Sequence, residues 1–223
     1  MKILAVDTAL GACSVALLGD ERMLTHRCVV MERGHAEALA PMVEDVMRES
    51  GVALGELDRL AVTTGPGTFT GQRVGLAFMR GLRVALKIPL IGITTLDAMA
   101  AAALAETGAA YAAALHDAKR GEVYFGLSSR DGVLIAPRLI PLEDAVVAIR
   151  GCVPSGGTVA FAGTAGAAAS VRWIADGGLA IASSVLQPDA KWVAKLALNA
   201  PAPVEPPRPL YLRPADARLP ANA

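Results

Sequence analysis

The chain has 223 residues, a size that suits one large domain or two packed lobes. Its 21 basic and 21 acidic side chains balance, which argues against a protein that binds RNA without a partner. Its residues are 53% hydrophobic but only 4% aromatic, so a core would consist mostly of Ala, Val, Leu and Ile. The three cysteines are far apart and form no C-x-x-C motif, so the sequence indicates neither a zinc ribbon nor a disulfide framework and favours reduced thiols in a cytoplasm.

The first half of the chain predicts three strands, followed by helices that alternate with further strands. Its opening run, MKILAVD, is too short for a signal peptide and is typical of a first strand. Apolar runs bounded by turn residues predict strands at residues 2–6, 14–18, 23–30, 60–64 and 90–93. Apolar residues at helical spacing predict helices at residues 38–49, 71–86 and 94–105.

The second half of the chain repeats the order of the first. Strands are predicted at residues 111–116, 122–128, 133–140 and 158–162, and helices at residues 141–149, 167–175 and 189–198. An alanine-rich stretch, residues 98–115, is interrupted by polar residues and falls short of the roughly 18 apolar residues that a membrane helix needs. We therefore predict an α/β protein of two βββαβα lobes, residues 1–106 and 107–200, followed by a proline-rich tail, residues 201–223.

The tail contains the run PAPVEPPRPLYLRPADARLP, in which prolines forbid a helix and favour an extended polyproline II conformation. One interpretation is a strap that lies on the surface of the chain itself. The alternative is a contact with a partner, for which Tyr211, Leu212 and Arg213 are the large side chains.

Five segments of the chain carry a resemblance to a known family. They are ILAVDTALGACSVAL (residues 3–17), GPGTFTGQRVG (65–75), GLRVAL (81–86), DAKRGEVY (117–124) and PLYLR (209–213). In this order, and over nearly the whole chain, they resemble the bacterial YeaZ/TsaB family. The resemblance implies an actin-like fold in which the two lobes flank a cleft. The sequence departs from the usual family residues at Thr68, Gln72 and Lys119. Of these, Gln72 places a polar side chain in the first turn of a helix.

The resemblance also implies a function and a set of partners. It implies a non-catalytic scaffold that activates a TsaD-like catalytic paralogue and acts with a TsaE-like ATPase to form N6-threonylcarbamoyladenosine (t6A) in tRNA. It implies no cofactor in the isolated chain, ATP or ADP only in the complex, tRNA contact only through the complex, a homodimer when the chain is alone, and no membrane association. Two alternatives stay open, a small-molecule kinase or ATPase of the actin-like superfamily and a peptidase-like protein.

The glycine-rich segment GPGTFTGQRVG follows a strand and opens a helix, a place where backbone N–H groups can bind an anion. However, it lacks both the lysine of a Walker-type loop and the G-x-G-x-x-G spacing. We therefore favour a structural turn, in which Pro66 stiffens the loop, Phe69 anchors it in apolar surroundings and Thr70 caps the helix.

Asp7 and Thr8 close the first strand, at the corner that faces the phosphates in actin-like ATPases. They form a candidate nucleotide-facing turn. The matching turn of the second lobe, FAGTAG (residues 161–166), has no acidic residue beside it. The alternative is that both turns are plain hairpin turns. Thr95 and Met99 stand where the catalytic paralogue has a metal-binding histidine pair, so we expect no metal site. We assign no catalytic residue.

The two helices of the first lobe are the candidate partner interface. Two methionines and a broad apolar face mark the first helix, and the second has an apolar stripe beside a stripe of small residues, Ala77, Gly81 and Ala85. The small residues would let another helix or a sheet approach closely. One open interpretation is that the stripe packs in the core, against the chain's own sheet. The predicted interface residues are Leu39, Met42, Val43, Val46, Met47, Val74, Phe78 and Leu82. The alternative is that all of them belong to the core.

Overall fold

The computed structural model describes residues 1–213 and contains ten strands and six α-helices. The strands are β1 (Lys2–Asp7), β2 (Ala12–Gly19), β3 (Arg22–Val30), β4 (Arg59–Thr63), β5 (Leu90–Ile93), β6 (Tyr111–Asp117), β7 (Glu122–Ser129), β8 (Gly132–Pro141), β9 (Thr158–Ala162) and β10 (Leu179–Ala182). The helices are α1 (His35–Ser50), α2 (Phe69–Leu86), α3 (Thr95–Thr107), α4 (Leu142–Cys152), α5 (Gly166–Ala175) and α6 (Ala190–Asn199). The part of the predicted tail beyond residue 213 lies outside the described residues.

The strands form two five-stranded sheets with the same topology. Their orders are β3-β2-β1-β4-β5 and β10-β9-β6-β7-β8. In each sheet the first three strands in the chain are antiparallel, and the remaining two run parallel to the first of them. The duplicated α/β plan predicted from the sequence, the actin-like arrangement, is therefore confirmed.

The sequence prediction omitted β10, the edge strand of the second sheet. This strand is only four residues long, LAIA, and follows a pair of glycines, so its apolar pattern is too short to identify a strand. With β10 included, both halves of the chain follow the order βββαβαβα.

Helices cover both faces of each sheet. Helices α1 and α2 pack on one face of the first sheet, and α6 packs on the other. Helices α4 and α5 cover the outer face of the second sheet, and α3 covers its inner face. Helices α3 and α6 contact each other between the two sheets, where small alanine side chains permit this close packing. Within residues 1–213, no helix combines the length and the apolar character needed to cross a bilayer.

Two helices begin at threonine caps, which fix the loops that precede them. The hydroxyl of Thr68 accepts a hydrogen bond from the Gly71 N–H at 3.0 Å, so α2 begins at Phe69. The prediction that Thr70 caps this helix is therefore wrong. Helix α3 begins in the same way, since the Thr94 hydroxyl accepts from the Asp97 N–H at 3.0 Å.

Candidate functional site

The turn after β1 is occupied by the chain's own hydrogen bonds. Asp7 is fully buried, and its Oδ1 accepts from the Thr63 hydroxyl at 2.6 Å and from the Ala9 N–H at 3.1 Å. Thr8 is 1% exposed, and its hydroxyl donates to the Gly71 carbonyl oxygen at 2.7 Å. Both side chains of the predicted nucleotide-facing turn are therefore buried and bonded to groups of the chain itself.

The Asp7 carboxyl has an unusual protonation equilibrium. Burial raises its pKa from 3.8 to about 6, while the hydrogen bonds from Thr63 and Ala9 oppose the rise. Its Oδ2 is buried and has no hydrogen-bond partner within residues 1–213. This carboxyl exchanges a proton near neutral pH and is costly to keep charged.

The glycines of GPGTFTGQRVG allow two loops to pack backbone against backbone. A Cβ at Gly67 would lie closer than 3.0 Å to the Ala9 carbonyl oxygen, and one at Gly71 would lie equally close to that of Thr8. The Thr68 N–H donates to the Ala9 carbonyl oxygen at 2.9 Å. The loop therefore packs tightly on the turn after β1, which explains its glycines without an anion.

The second lobe repeats this packing. A Cβ at Gly163 would lie closer than 3.0 Å to the Leu115 carbonyl oxygen, and the Ala165 N–H donates to the same oxygen at 3.1 Å. The turn after β9 is thus packed on the end of β6, as the glycine-rich loop after β4 is packed on the end of β1.

The side chain of Phe69 in the glycine-rich loop differs from the sequence prediction. Phe69 does not anchor the loop in apolar surroundings, because its side chain is 58% exposed. It stacks on Tyr211 with the ring centroids 5.7 Å apart, and the Arg73 guanidinium lies 3.6 Å from its ring centroid. Gln72 is buried instead and donates from Nε2 to the Gly67 carbonyl oxygen at 2.9 Å, so it holds the loop from inside.

A cavity of about 510 Å³ remains in the cleft between the lobes. Its charged lining residues include Glu32, Asp117 and Lys119. The Asp117 N–H donates to the Thr164 hydroxyl at 2.9 Å, and that hydroxyl lies 3.3 Å from Nδ1 of His116, whose pKa is lowered by burial. The polar groups of Asp117, Thr164 and His116 in the cleft are therefore already paired with one another.

The described residues offer no ready metal site. No group of three His, Cys, Asp or Glu side chains within residues 1–213 is placed to hold an ion. Thr95 and Met99 are both fully buried in α3. The ring nitrogen of His35 contacts the Leu10 carbonyl oxygen at 3.0 Å, and His26 pairs with Asp189 at 2.7 Å.

The predicted interface residues of α1 and α2 differ in burial. All five on α1 are at least 92% buried and belong to the core under the first sheet; they are Leu39, Met42, Val43, Val46 and Met47. The three on α2, Val74, Phe78 and Leu82, are half-buried against the same core. The burial of the α1 set supports the core alternative for those residues, and a contact between this helix pair and a partner stays a prediction.

The outer face of α2 is apolar and exposed. The small residues Ala77, Gly81 and Ala85 lie on this face rather than against the sheet, so the interpretation that they pack in the core is wrong. Val84 lies beside them and is 73% exposed. The sequence analysis missed Val84, although its position three residues after Gly81 places it on the same face.

Residues 201–213, which we call the strap, lie along the chain's own surface. The Leu210 N–H donates to the Thr64 carbonyl oxygen at 2.8 Å, and Arg80 donates to the Pro207 carbonyl oxygen at 2.6 Å. At its end, Arg213 pairs with Glu122 of β7 at 2.6 Å. The strap therefore connects α2 and the end of β4 to the second sheet.

Comparison with known proteins gives matches along most of the chain. Residues 29–155 match the family model for TsaD, tRNA N6-adenosine threonylcarbamoyltransferase. The tRNA threonylcarbamoyladenosine biosynthesis protein TsaB of Escherichia coli is 42% identical over 131 residues, which cover 59% of this chain and 56% of that protein. The protein of the same name from Haemophilus influenzae is 40% identical over 135 residues, which cover 60% and 56% of the two chains. The chain thus spans a little over half the length of these curated relatives.

A solved structure matches over a longer range. YeaZ from Pseudomonas aeruginosa is 32% identical and superimposes with a TM-score of 0.73, covering 95% of this chain and 99% of that one. The similarity therefore extends over both five-stranded sheets.

Proposed function

The chain belongs to the YeaZ/TsaB family, and on that premise we propose that it is a non-catalytic scaffold subunit for the formation of t6A in tRNA. The chemistry takes place in a TsaD-like catalytic paralogue that this chain binds and activates in the cytoplasm, together with a TsaE-like ATPase. The tRNA is contacted through the complex, in keeping with the balanced charge of this chain. The main support for the pathway is the similarity to the tRNA threonylcarbamoyladenosine biosynthesis proteins of Escherichia coli and Haemophilus influenzae.

The packed turn after β1 carries the non-catalytic part of the proposal. In an actin-like ATPase this corner needs an accessible acid and free backbone N–H groups. Here Asp7 is buried, and the Thr68 N–H is used by the Ala9 carbonyl oxygen. A kinase or ATPase would have to open this packing before it could hold phosphates, so we assign ATP or ADP to the complex and not to the isolated chain.

Two of the three cysteines give no support to the peptidase-like alternative. Cys13 is buried, and desolvation raises the pKa of its thiol to about 11. Desolvation likewise raises the pKa of the Cys28 thiol to about 11. Because the thiolate is the reactive form, neither cysteine is prepared for covalent catalysis near neutral pH.

We place the partner surface on the outer face of α2. Ala77 and Gly81 let a second helix approach closely, and Val84 and Phe69 supply exposed apolar area beside them. The half-buried Val74, Phe78 and Leu82 border this face, while α1 supports it from the core side. In the absence of the partner, the same face would pair with a second copy to give a homodimer.

Reconstitution tests the proposed function. The purified chain is mixed with ATP, threonine, bicarbonate and unmodified tRNA, with and without the TsaD-like and TsaE-like proteins. We expect t6A, measured by mass spectrometry of nucleosides, only when the partners are present, and less of it when this chain is omitted. Formation of t6A by this chain alone would show that it is catalytic. Equal t6A formation with and without this chain would show that it is no activator.

A further inference from the structure

A second cavity lies between α3 and the hairpin that joins β7 to β8. It is an open groove of about 570 Å³, a size typical of small-molecule sites. It shares no lining residue with the cleft between the lobes. The groove is therefore a separate feature of the molecule, and an inference about it does not depend on the proposed function.

The floor of the groove is apolar. Ala101 and Leu104 face it from α3, Leu196 closes it from α6, and Val133 forms a wall on the hairpin. The side chain of Val133 is 53% exposed. An apolar arm of a ligand would bury these side chains.

The polar groups of the groove favour a positive charge. Asp97 is half-buried in the lining, and burial raises the pKa of its carboxyl, while a hydrogen bond with Thr94 opposes the rise. Asp131 lies at the rim, and the one cation in the lining, Arg130, already donates to the carbonyl oxygens of Gly108 and Ala109. The lining thus has two carboxyl groups and one guanidinium group. The guanidinium is already bonded to the carbonyl oxygens that follow α3.

Ser128 adds a further polar group to this lining. It is 8% exposed, and its hydroxyl makes no hydrogen bond within residues 1–213. The hydroxyl lines the groove and can form a hydrogen bond with a ligand there.

We propose that the groove binds a small organic ammonium ion with an apolar arm, with the Asp97 carboxylate as its counter-ion and the Ser128 hydroxyl as an additional acceptor. The ammonium compensates a carboxylate that has lost most of its water, while the arm covers Ala101, Leu104 and Val133. An anion would meet two carboxylates, and a neutral molecule would leave the Asp97 carboxylate with its hydrogen bond from Thr94 but without a counter-ion.

Isothermal titration calorimetry with three probes of equal length tests this proposal. The probes are hexylamine, 1-hexanol and hexanoate at neutral pH. We expect hexylammonium to bind with a Kd of about 1 mM, as a ligand of about seven non-hydrogen atoms can, and at least about tenfold tighter than the other two. Equal affinity for hexylammonium and hexanol, or no hexylammonium binding at about 20 mM, would overturn the proposal.

Variants of the groove identify where the probe binds. Asp97→Asn keeps the shape and an acceptor at the start of α3, and we expect it to weaken hexylammonium binding about tenfold with an unchanged circular dichroism spectrum. Ala101→Phe fills the floor without altering a charge and should abolish binding. Asp131→Asn removes the same charge at the exposed rim and should change the Kd less than about twofold. Undiminished binding by either Asp97→Asn or Ala101→Phe would place the probe elsewhere and refute the assignment.

Discussion

Thr8 and Gly71 hold together the two loops at the carboxyl end of β1. The Thr8 hydroxyl donates to the Gly71 carbonyl oxygen, and the Gly71 Cα lies so close to the Thr8 carbonyl oxygen that a Cβ would approach within 3.0 Å. The same hydroxyl accepts from the Gly75 N–H at 3.0 Å. The Thr8 hydroxyl therefore bonds to two backbone groups of α2. The close approach of the two loops leaves room only for a glycine at position 71.

Gly71→Ala should destabilise the chain, because the added methyl group meets backbone on one side and the Thr68 hydroxyl on the other. We expect a loss of about 3 kcal/mol in the free energy of unfolding, measured with urea. Gly81→Ala is the matched control in the same helix, since a Cβ there has open space around it. It should be stabilising by about 0.5–1 kcal/mol. Equal stabilities of the two variants would contradict the tight packing of the loops.

Asp7 should make the stability of the chain depend on pH. Its pKa is raised from 3.8 to about 6 in the folded state, so the folded protein binds the proton more tightly than the unfolded chain does. The contribution of Asp7 to stability is therefore fully present below about pH 4 and is lost as the pH rises to about 7, by roughly 3 kcal/mol. Asp7→Asn, which cannot titrate, should lack this component. The check is the difference between the two proteins in urea unfolding across this range. A difference that does not change with pH would refute the raised pKa.

The sequence predicts the duplicated plan of the fold because its elements carry strong local patterns. Apolar residues at helical spacing place α1 and α2, and the first strands are continuous apolar runs. The short strand β10 has four residues and no pattern of its own, so it is defined only by pairing with β9. Strand pairing is a tertiary interaction and leaves little local signal.

The candidate site is less predictable than the fold. Phe69 is exposed because Tyr211, far away in the chain, returns to stack on it, and neither residue indicates the other in the sequence. The small side chains of Ala77 and Gly81 indicate that another helix or a sheet can approach α2 closely. They do not indicate whether this neighbour is the chain's own sheet or a partner protein. Helix α2 turns the stripe outward because Gly75 and Met79 face the sheet.

The strap should contribute to stability through its aromatic contact. Tyr211→Ala removes the stack on Phe69 and the hydrogen bond from Arg73, which is 2.8 Å long. We expect a loss of about 1–2 kcal/mol in unfolding free energy, with Tyr211→Phe as the control that keeps the ring and loses less than about 1 kcal/mol. Thermal unfolding followed by circular dichroism measures both. If the two variants lose the same amount, the ring stack contributes nothing.

The outer face of α2 should decide whether the chain forms its complex. Val84 is 73% exposed, so Val84→Arg should leave the circular dichroism spectrum and the melting temperature of the isolated chain unchanged. If a partner helix packs on this face, the arginine would be buried without a counter-charge, and binding to the TsaD-like protein should fall at least about a hundredfold. Val46→Arg is the contrasting variant on α1, because Val46 is fully buried and a charge there should unfold the chain. Analytical ultracentrifugation of the chain alone and pull-down with the partner measure the two assemblies. Complex formation by folded Val84→Arg at wild-type affinity would remove this face of α2 from the partner surface.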